Sequence, residues 1–292
     1  MRLDAHHHLW DLTAVHYPWL MAKGEPRFFG DPTPIQRNYL LPELRADAAR
    51  HGIQGSVHIQ AGAADGLAEA RWIQKVAEAT PDWPMVQVAF CDLTASDALD
   101  RLDQLQALPT LRGVRQIVGR APGEDAQTGT NTLLDDPNFL RGLRAAGARG
   151  LSFDLQLLPE LMAKTADILR QAPDTPVALC HAGSPYDRSA QGLASWRTEL
   201  ARLAELPQVS CKLSGLGMFD HNWTQAKIAP IVETVLDLFG PDRVMFGSNF
   251  PVDSLSSDYT TLVHALEALV PPPLHDQVFG NTAARFYRMP NL

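Results

Sequence analysis

Eight short apolar runs alternate with helix-length segments along almost the whole chain, and no other feature limits the fold as strongly. The runs cover residues 2–5, 55–61 (GSVHIQA), 85–91 (MVQVAFC), 111–116 (LRGVRQ), 151–157 (LSFDLQL), 176–181 (PVALCH), 209–213 (VSCKL) and 243–247 (RVMFG). Short apolar runs that alternate with helices read as the strands of a parallel sheet. Eight such units close a (β/α)8 TIM barrel, so the chain is expected to be a single α/β catalytic barrel over residues 1–292. An open doubly wound sheet is the competitor. It usually carries a glycine-rich phosphate turn after its first strand, and here that place holds His6, His7 and His8.

The intervening segments carry helix signals. Pro42 and Glu43 open a helix that Gly52 closes, and Thr94, Ser96 or Asp97 caps one that runs to about Leu108. Asp136 followed by Pro137 caps another, with Gly147 as its stop. Helical patterns also cover 66–80, 159–172, 192–206, 227–239, 258–270 and 275–287. Segments 12–41 and 118–135 are irregular. Both follow strand C-terminal ends, where barrel enzymes carry their active-site loops.

The formal net charge of −8 and the lack of a basic run argue against nucleic acid or a membrane surface as partner, and leave a small-molecule substrate. No apolar run approaches the roughly 20 residues of a membrane span, and the first residues lack the apolar stretch of a secretion signal. Cys91, Cys180 and Cys211 each sit in an apolar run and lack zinc-type pair spacing, so buried, reduced thiols in a cytoplasmic protein are expected.

Catalytic groups of a barrel come from strand C-terminal ends, which selects among the polar residues. His6 and His8 stand at i and i+2, so both can face inward with His7 turned away. Two imidazoles on one face suit a divalent metal better than a plain polar loop would require. His58 and Gln60 repeat that spacing on strand two, and either line a pocket or satisfy one another. Arg115, ending strand four, presents a planar fork suited to a carboxylate or a lactone oxygen; a structural ion pair is the alternative. Asp154 and Gln156 share a face of strand five, and Lys212 lies between Cys211 and Leu213 on strand seven. His181, ending strand six, is the third candidate metal ligand or base. Asn249 and Asp253 follow strand eight. Leu9, Trp10, Tyr17, Trp19, Phe28 and Phe29 could wall a pocket, but single aromatics are more often core.

In order along the chain, Asp4-Ala5-His6-His7-His8-Leu9-Trp10, Gly113-Val114-Arg115-Gln116, His181, Lys212-Leu213-Ser214-Gly215-Leu216 and Gly247-Ser248-Asn249-Phe250-Pro251-Val252 resemble the amidohydrolase superfamily, and most of all its lactonase branch. Each motif alone is weak; the ordered set at strand ends is specific. The resemblance implies that an activated water opens a small lactone derived from a sugar acid or an aromatic catabolite. It implies that His6, His8 and His181 hold a metal or polarise the carbonyl. An acid after strand eight would activate the water, and Arg115 and Lys212 would bind polar groups of the substrate.

Two departures stand against the family pattern. Members with two metals carry a histidine after strand five and a bridging lysine on strand four, where this chain has Asp154 and Arg115. At most one divalent ion, zinc first, is therefore expected, and some lactonases of the branch need none. The second departure is Asn249 where the pattern has Asp. An amide can orient a water but cannot take its proton, which leaves His181 or Asp253 as the base. A metal-dependent decarboxylase of the same superfamily is the alternative activity, and Asn249 also raises a non-catalytic binding barrel.

Overall fold

The computed structural model describes residues 1–128 and 130–290. Its strands are β1 (Arg2–His7), β2 (Ile53–Ile59), β3 (Met85–Phe90), β4 (Leu111–Ile117), β5 (Ser152–Gln156), β6 (Val177–Leu179), β7 (Val209–Leu213) and β8 (Val244–Phe246). They form one sheet in the order β1 to β8, each strand parallel to the next. The turn after β8 brings the sheet back to β1: Asn249 N donates to His6 O at 2.7 Å and His8 N to Phe250 O at 2.7 Å. This is the (β/α)8 barrel that the alternation predicts.

The strands are buried almost throughout because helices cover them outside and side chains fill them inside. Leu3, Ala5, Val57, Ile59, Val86, Val88, Ala178 and Met245 form the inner core, joined by Tyr287 and Met289 from the end of the chain. A larger outer layer packs between strands and helices. Asp65, Asp136, Ser189, Thr224 and Asp258 cap helices of that layer through their side chains, satisfying amides that have no partner within the helix.

Gly147 is not the stop expected of it. The helix Pro137–Ala148 runs through it, and Gly150, at φ 69°, stands just beyond the end. A Cβ on Gly147 would lie 2.3 Å from Thr175 Oγ1, so the glycine serves close packing against the next unit. The last helical stretch is a π turn, Gln277–Asn281, followed by Thr282–Phe286. The two irregular segments hold only short pieces of helix, Pro18–Met21 and Pro122–Thr128 among them, and they are tied together over the barrel mouth. Arg27 makes two hydrogen bonds to the Glu124 carboxylate at 3.2 Å, and Phe28 N donates to the same group. Among the described residues no helix is long and apolar enough to cross a membrane.

Candidate active site

The barrel mouth opens into a cavity of about 660 Å³ lined by strand-end residues and by both irregular segments. That is within the usual range of small-molecule sites. His8, Gln60, Arg115, Gln156, His181 and Asn249 face it from inside the barrel. Trp10, Trp19, Arg27, Phe28, Phe29 and Arg120 form its outer wall.

β1 delivers the paired histidines. Leu3 and Ala5 belong to the inner core, yet His6 and His8, not His7, meet at the mouth. A register shift between Asp4 and His7 accommodates the change of phase. His7 turns outward and bonds Ser56 Oγ at 2.9 Å. The His6 ring lies 5.2 Å from that of His8 and 4.6 Å from that of His181, between centroids. Two glycines keep this space open. A Cβ on Gly247 would come within 2.5 Å of His6 Cβ, and one on Gly215 within 2.4 Å of His181 Nδ1.

The hydrogen bonds fix the chemistry of these rings. His8 Nδ1 lies 2.7 Å from the Ile59 carbonyl oxygen, which can only accept, so Nδ1 carries the proton. In the neutral ring Nε2 is then a bare lone pair. It lies 3.3 Å from Asn249 Oδ1, also an acceptor, whose amide nitrogen donates to Asp253 Oδ1 at 2.9 Å. Two lone pairs thus face one another with no proton of the chain between them. Both ring nitrogens of His6 are buried and without a partner. His181 is tied through Nδ1 to Ser214 Oγ at 3.0 Å and held at φ 56°, in the left-handed region, as is Asn249 at φ 57°.

Burial, reinforced by neighbouring cationic groups, holds His6 and His181 well below the ordinary histidine range and brings His8 down to about 3. All three are neutral imidazoles at neutral pH. Burial pushes Asp253 up to about 7, against the stabilising bond from Asn249.

Arg115 reaches the cavity with Nη1 donating to Gln60 O at 3.2 Å and Nη2 to Gln156 Oε1, while its buried Nε has no partner. Gln60 lines the cavity and accepts from Gly62 N at 2.7 Å. Five expected residues do not line it: His6, wholly buried beside the His8 and His181 rings, and four more. His58 lies behind the wall: its Nδ1 accepts from Leu9 N at 3.2 Å, and its Nε2 is 3.6 Å from Glu69 on the covering helix Gly66–Ala79. Asp154 and Lys212 face inward but too deep. Lys212 Nζ, wholly buried, donates to Asp154 Oδ2 at 2.6 Å and to Ala5 O at 2.8 Å, and Tyr287 OH donates to the same carboxylate at 2.9 Å. The two are committed to each other inside the barrel, so Lys212 does not stand at the mouth beside Arg115 as a binder of the substrate's polar groups. Asp253 is buried behind Asn249 and cannot meet a bound substrate directly.

Among the described residues no group of three or more His, Cys, Asp or Glu side chains is arranged to hold a metal ion. The facing lone pairs of His8 Nε2 and Asn249 Oδ1, with the unpartnered His6 ring beside them, fit one cation as donors of the required chemistry. Trp10, Trp19, Phe28 and Phe29, expected from sequence as core rather than as a pocket wall, do line the cavity. Arg27 and Arg120 were not singled out from sequence; their only signal was membership of the two irregular segments.

Comparison with known proteins agrees with this architecture. The amidohydrolase family model matches residues 3–289. An uncharacterized protein of Sinorhizobium fredii, y4mH, is 35% identical over 293 residues, 98% of each chain. An L-fucono-1,5-lactonase of Burkholderia multivorans is 28% identical, covering 99% of this chain and 97% of its own. The crystal structure of an amidohydrolase from the same organism, with bound zinc, superposes with a TM-score of 0.82 at 26% identity, over 99% of this chain and 100% of that one. With barrel, mouth cavity and family model in agreement over nearly the whole length, the chain belongs to the amidohydrolase family and is a hydrolase of that family.

Proposed function

We propose that this chain opens a small lactone of sugar-acid or aromatic-catabolite type by attack of water. The observation that carries the proposal is the apposition of His8 Nε2 and Asn249 Oδ1 beside Arg115 in one cavity. A water that donates to both acceptors keeps an oxygen lone pair free to attack. Arg115, with its unpartnered Nε, offers donors where the lactone carbonyl develops negative charge, the arrangement that stabilises a tetrahedral intermediate. His8 Nε2 takes the proton as the water adds and returns it to the ring oxygen as the C–O bond breaks, while Ile59 O holds the opposite nitrogen. The lactonase activity of the relatives from Burkholderia supports this reading.

His6 and His8, with Asn249 Oδ1 as an oxygen donor, would hold a single divalent ion, zinc first. Such an ion would occupy the His8 Nε2 lone pair and would supply Lewis-acid activation of water or carbonyl in place of that base. Arg115 has no carboxylate partner, and Arg27 and Arg120 stand at the wall, so a substrate bearing an anionic or hydroxyl-rich group fits the cavity best.

The test is a panel of sugar-acid lactones and carboxylated pyrone-type lactones assayed for acid release, with bicarbonate release from hydroxybenzoates run alongside. One lactone should be opened with kcat/KM of at least about 10⁴ M⁻¹ s⁻¹. Bicarbonate release without lactone opening would make the chain a decarboxylase. Binding without turnover would make it a binding barrel.

A further inference from the structure

Asn249 stands in the barrel with an acceptor on one side, His8 Nε2, and a carboxylate on the other, Asp253. An amide has one donor end and one acceptor end, so these two neighbours compete for its N–H bonds. Left to itself, the Asn249 amide would turn its Nδ2 toward His8 and donate to the bare Nε2. That would satisfy both groups and remove the lone pair from the cavity. The opposite orientation is observed, with Nδ2 held 2.9 Å from Asp253 Oδ1 and Oδ1 turned to His8. The backbone reinforces it: Asp253 N donates to Asn249 O at 3.1 Å, so the two residues sit on one turn, and Asp253 is only 2% exposed.

We infer that Asp253 is a positioning residue that prevents Asn249 from capping His8. Asn249 then presents its amide oxygen to the reacting groups, and the Asp253 carboxyl, four residues on, stands behind it. This deepens the lactonase reading and rests on it for the activity readout, but not for the binding readout. Groups that orient a metal ligand from behind typically matter by 10- to 100-fold in metal affinity or activity.

The test compares wild type with Asp253→Asn and with the exchanged double variant Asn249→Asp/Asp253→Asn. Zn²⁺ binding is read by calorimetry, kcat and KM on a lactone by acid release, and folding by the denaturant midpoint. An Asn at 253 accepts as readily as it donates, so Asn249 is free to turn. Asp253→Asn should lose at least tenfold in Zn²⁺ affinity and in kcat, with KM within about threefold. The exchange places acceptor oxygens at 249 again, with an amide donor behind, and should recover at least tenfold over Asp253→Asn. A merely structural Asp253 would shift the denaturant midpoint without this recovery. Unchanged Zn²⁺ affinity and kcat in Asp253→Asn overturn the inference, as does a folded exchange variant with no recovery. If wild type binds Zn²⁺ but opens no lactone, the lactonase reading fails while the affinity change still decides this one. If wild type does neither, both fall.

Discussion

The barrel encloses two polar clusters of similar size and opposite character. On its floor Lys212, Asp154 and Tyr287 form a closed set: the ammonium and the hydroxyl both serve one carboxylate, and Ala5 O takes another ammonium proton. At the mouth His6 has no partner for either ring nitrogen, Arg115 leaves Nε unpaired, and His8 and Asn249 set two acceptors face to face. Both clusters are buried, so solvent exposure does not explain the difference. Buried polar groups are normally paired, and those left unpaired need an external partner. The floor is complete without a ligand; the mouth is not. Satisfaction of hydrogen bonds, more than burial or residue type, therefore separates the structural cluster from the reactive one.

The sharpest way to break this contrast is at the floor. Lys212→Met leaves Asp154 as a buried charge with only Tyr287 beside it, and should cost about 3–5 kcal/mol of stability, the range for breaking a buried pair. The denaturant midpoint reads this directly. A variant as stable as wild type would mean that the floor cluster is not the structural one. Arg115→Met tests the mouth. It should lower kcat/KM by roughly tenfold to a few hundredfold, for a lost charge-assisted contact worth about 1.5–3 kcal/mol. Unchanged kinetics would remove Arg115 from the substrate's path.

A smaller effect per group appears with pH. Burial depresses His6, His7, His8 and His181 in the folded chain, so below about pH 6.5 the unfolded chain binds their protons first. Each such group lowers stability by about 1.4 kcal/mol per pH unit as pH falls. Asp4, Asp125 and Asp253 act in the other direction, because burial raises them and the folded chain takes up their protons first. The four histidines, with His51 also lowered, outweigh the three acids. Denaturant midpoints of chelator-treated protein should therefore fall steadily from pH 6.5 toward 4.5, and a flat profile would show that the imidazoles are not held neutral.

Much of this was legible in the sequence. All eight runs are strands, because short apolar segments between capped helices leave little other choice. Alternation put His6 and His8 on one face and His7 on the other, but a register shift between Asp4 and His7 decides which face turns inward. The same rule failed at His58, because β2 is buried on both faces. Val57 and Ile59 take the inner side, and His58 packs under the helix outside. At Asp154 and Lys212 spacing identified the inner face but not the depth along the barrel, and depth decides between floor and mouth. Gly147 looked like a helix stop because its role, contact with Thr175, lies in the next unit. Arg27 and Arg120 carried no pattern, since irregular segments have no periodicity to place a side chain.

The central claim is that the incomplete cluster at the mouth performs the reaction while the floor only supports it. The most direct test is kcat/KM for lactone opening by His8→Gln, measured together with its denaturant midpoint. Loss of a positioned general base predicts a fall of about 10²–10⁴-fold. Because His8 sits in an unfinished network, the midpoint should stay near that of wild type. Activity retained within a few-fold, or a loss that merely follows unfolding, would contradict the account.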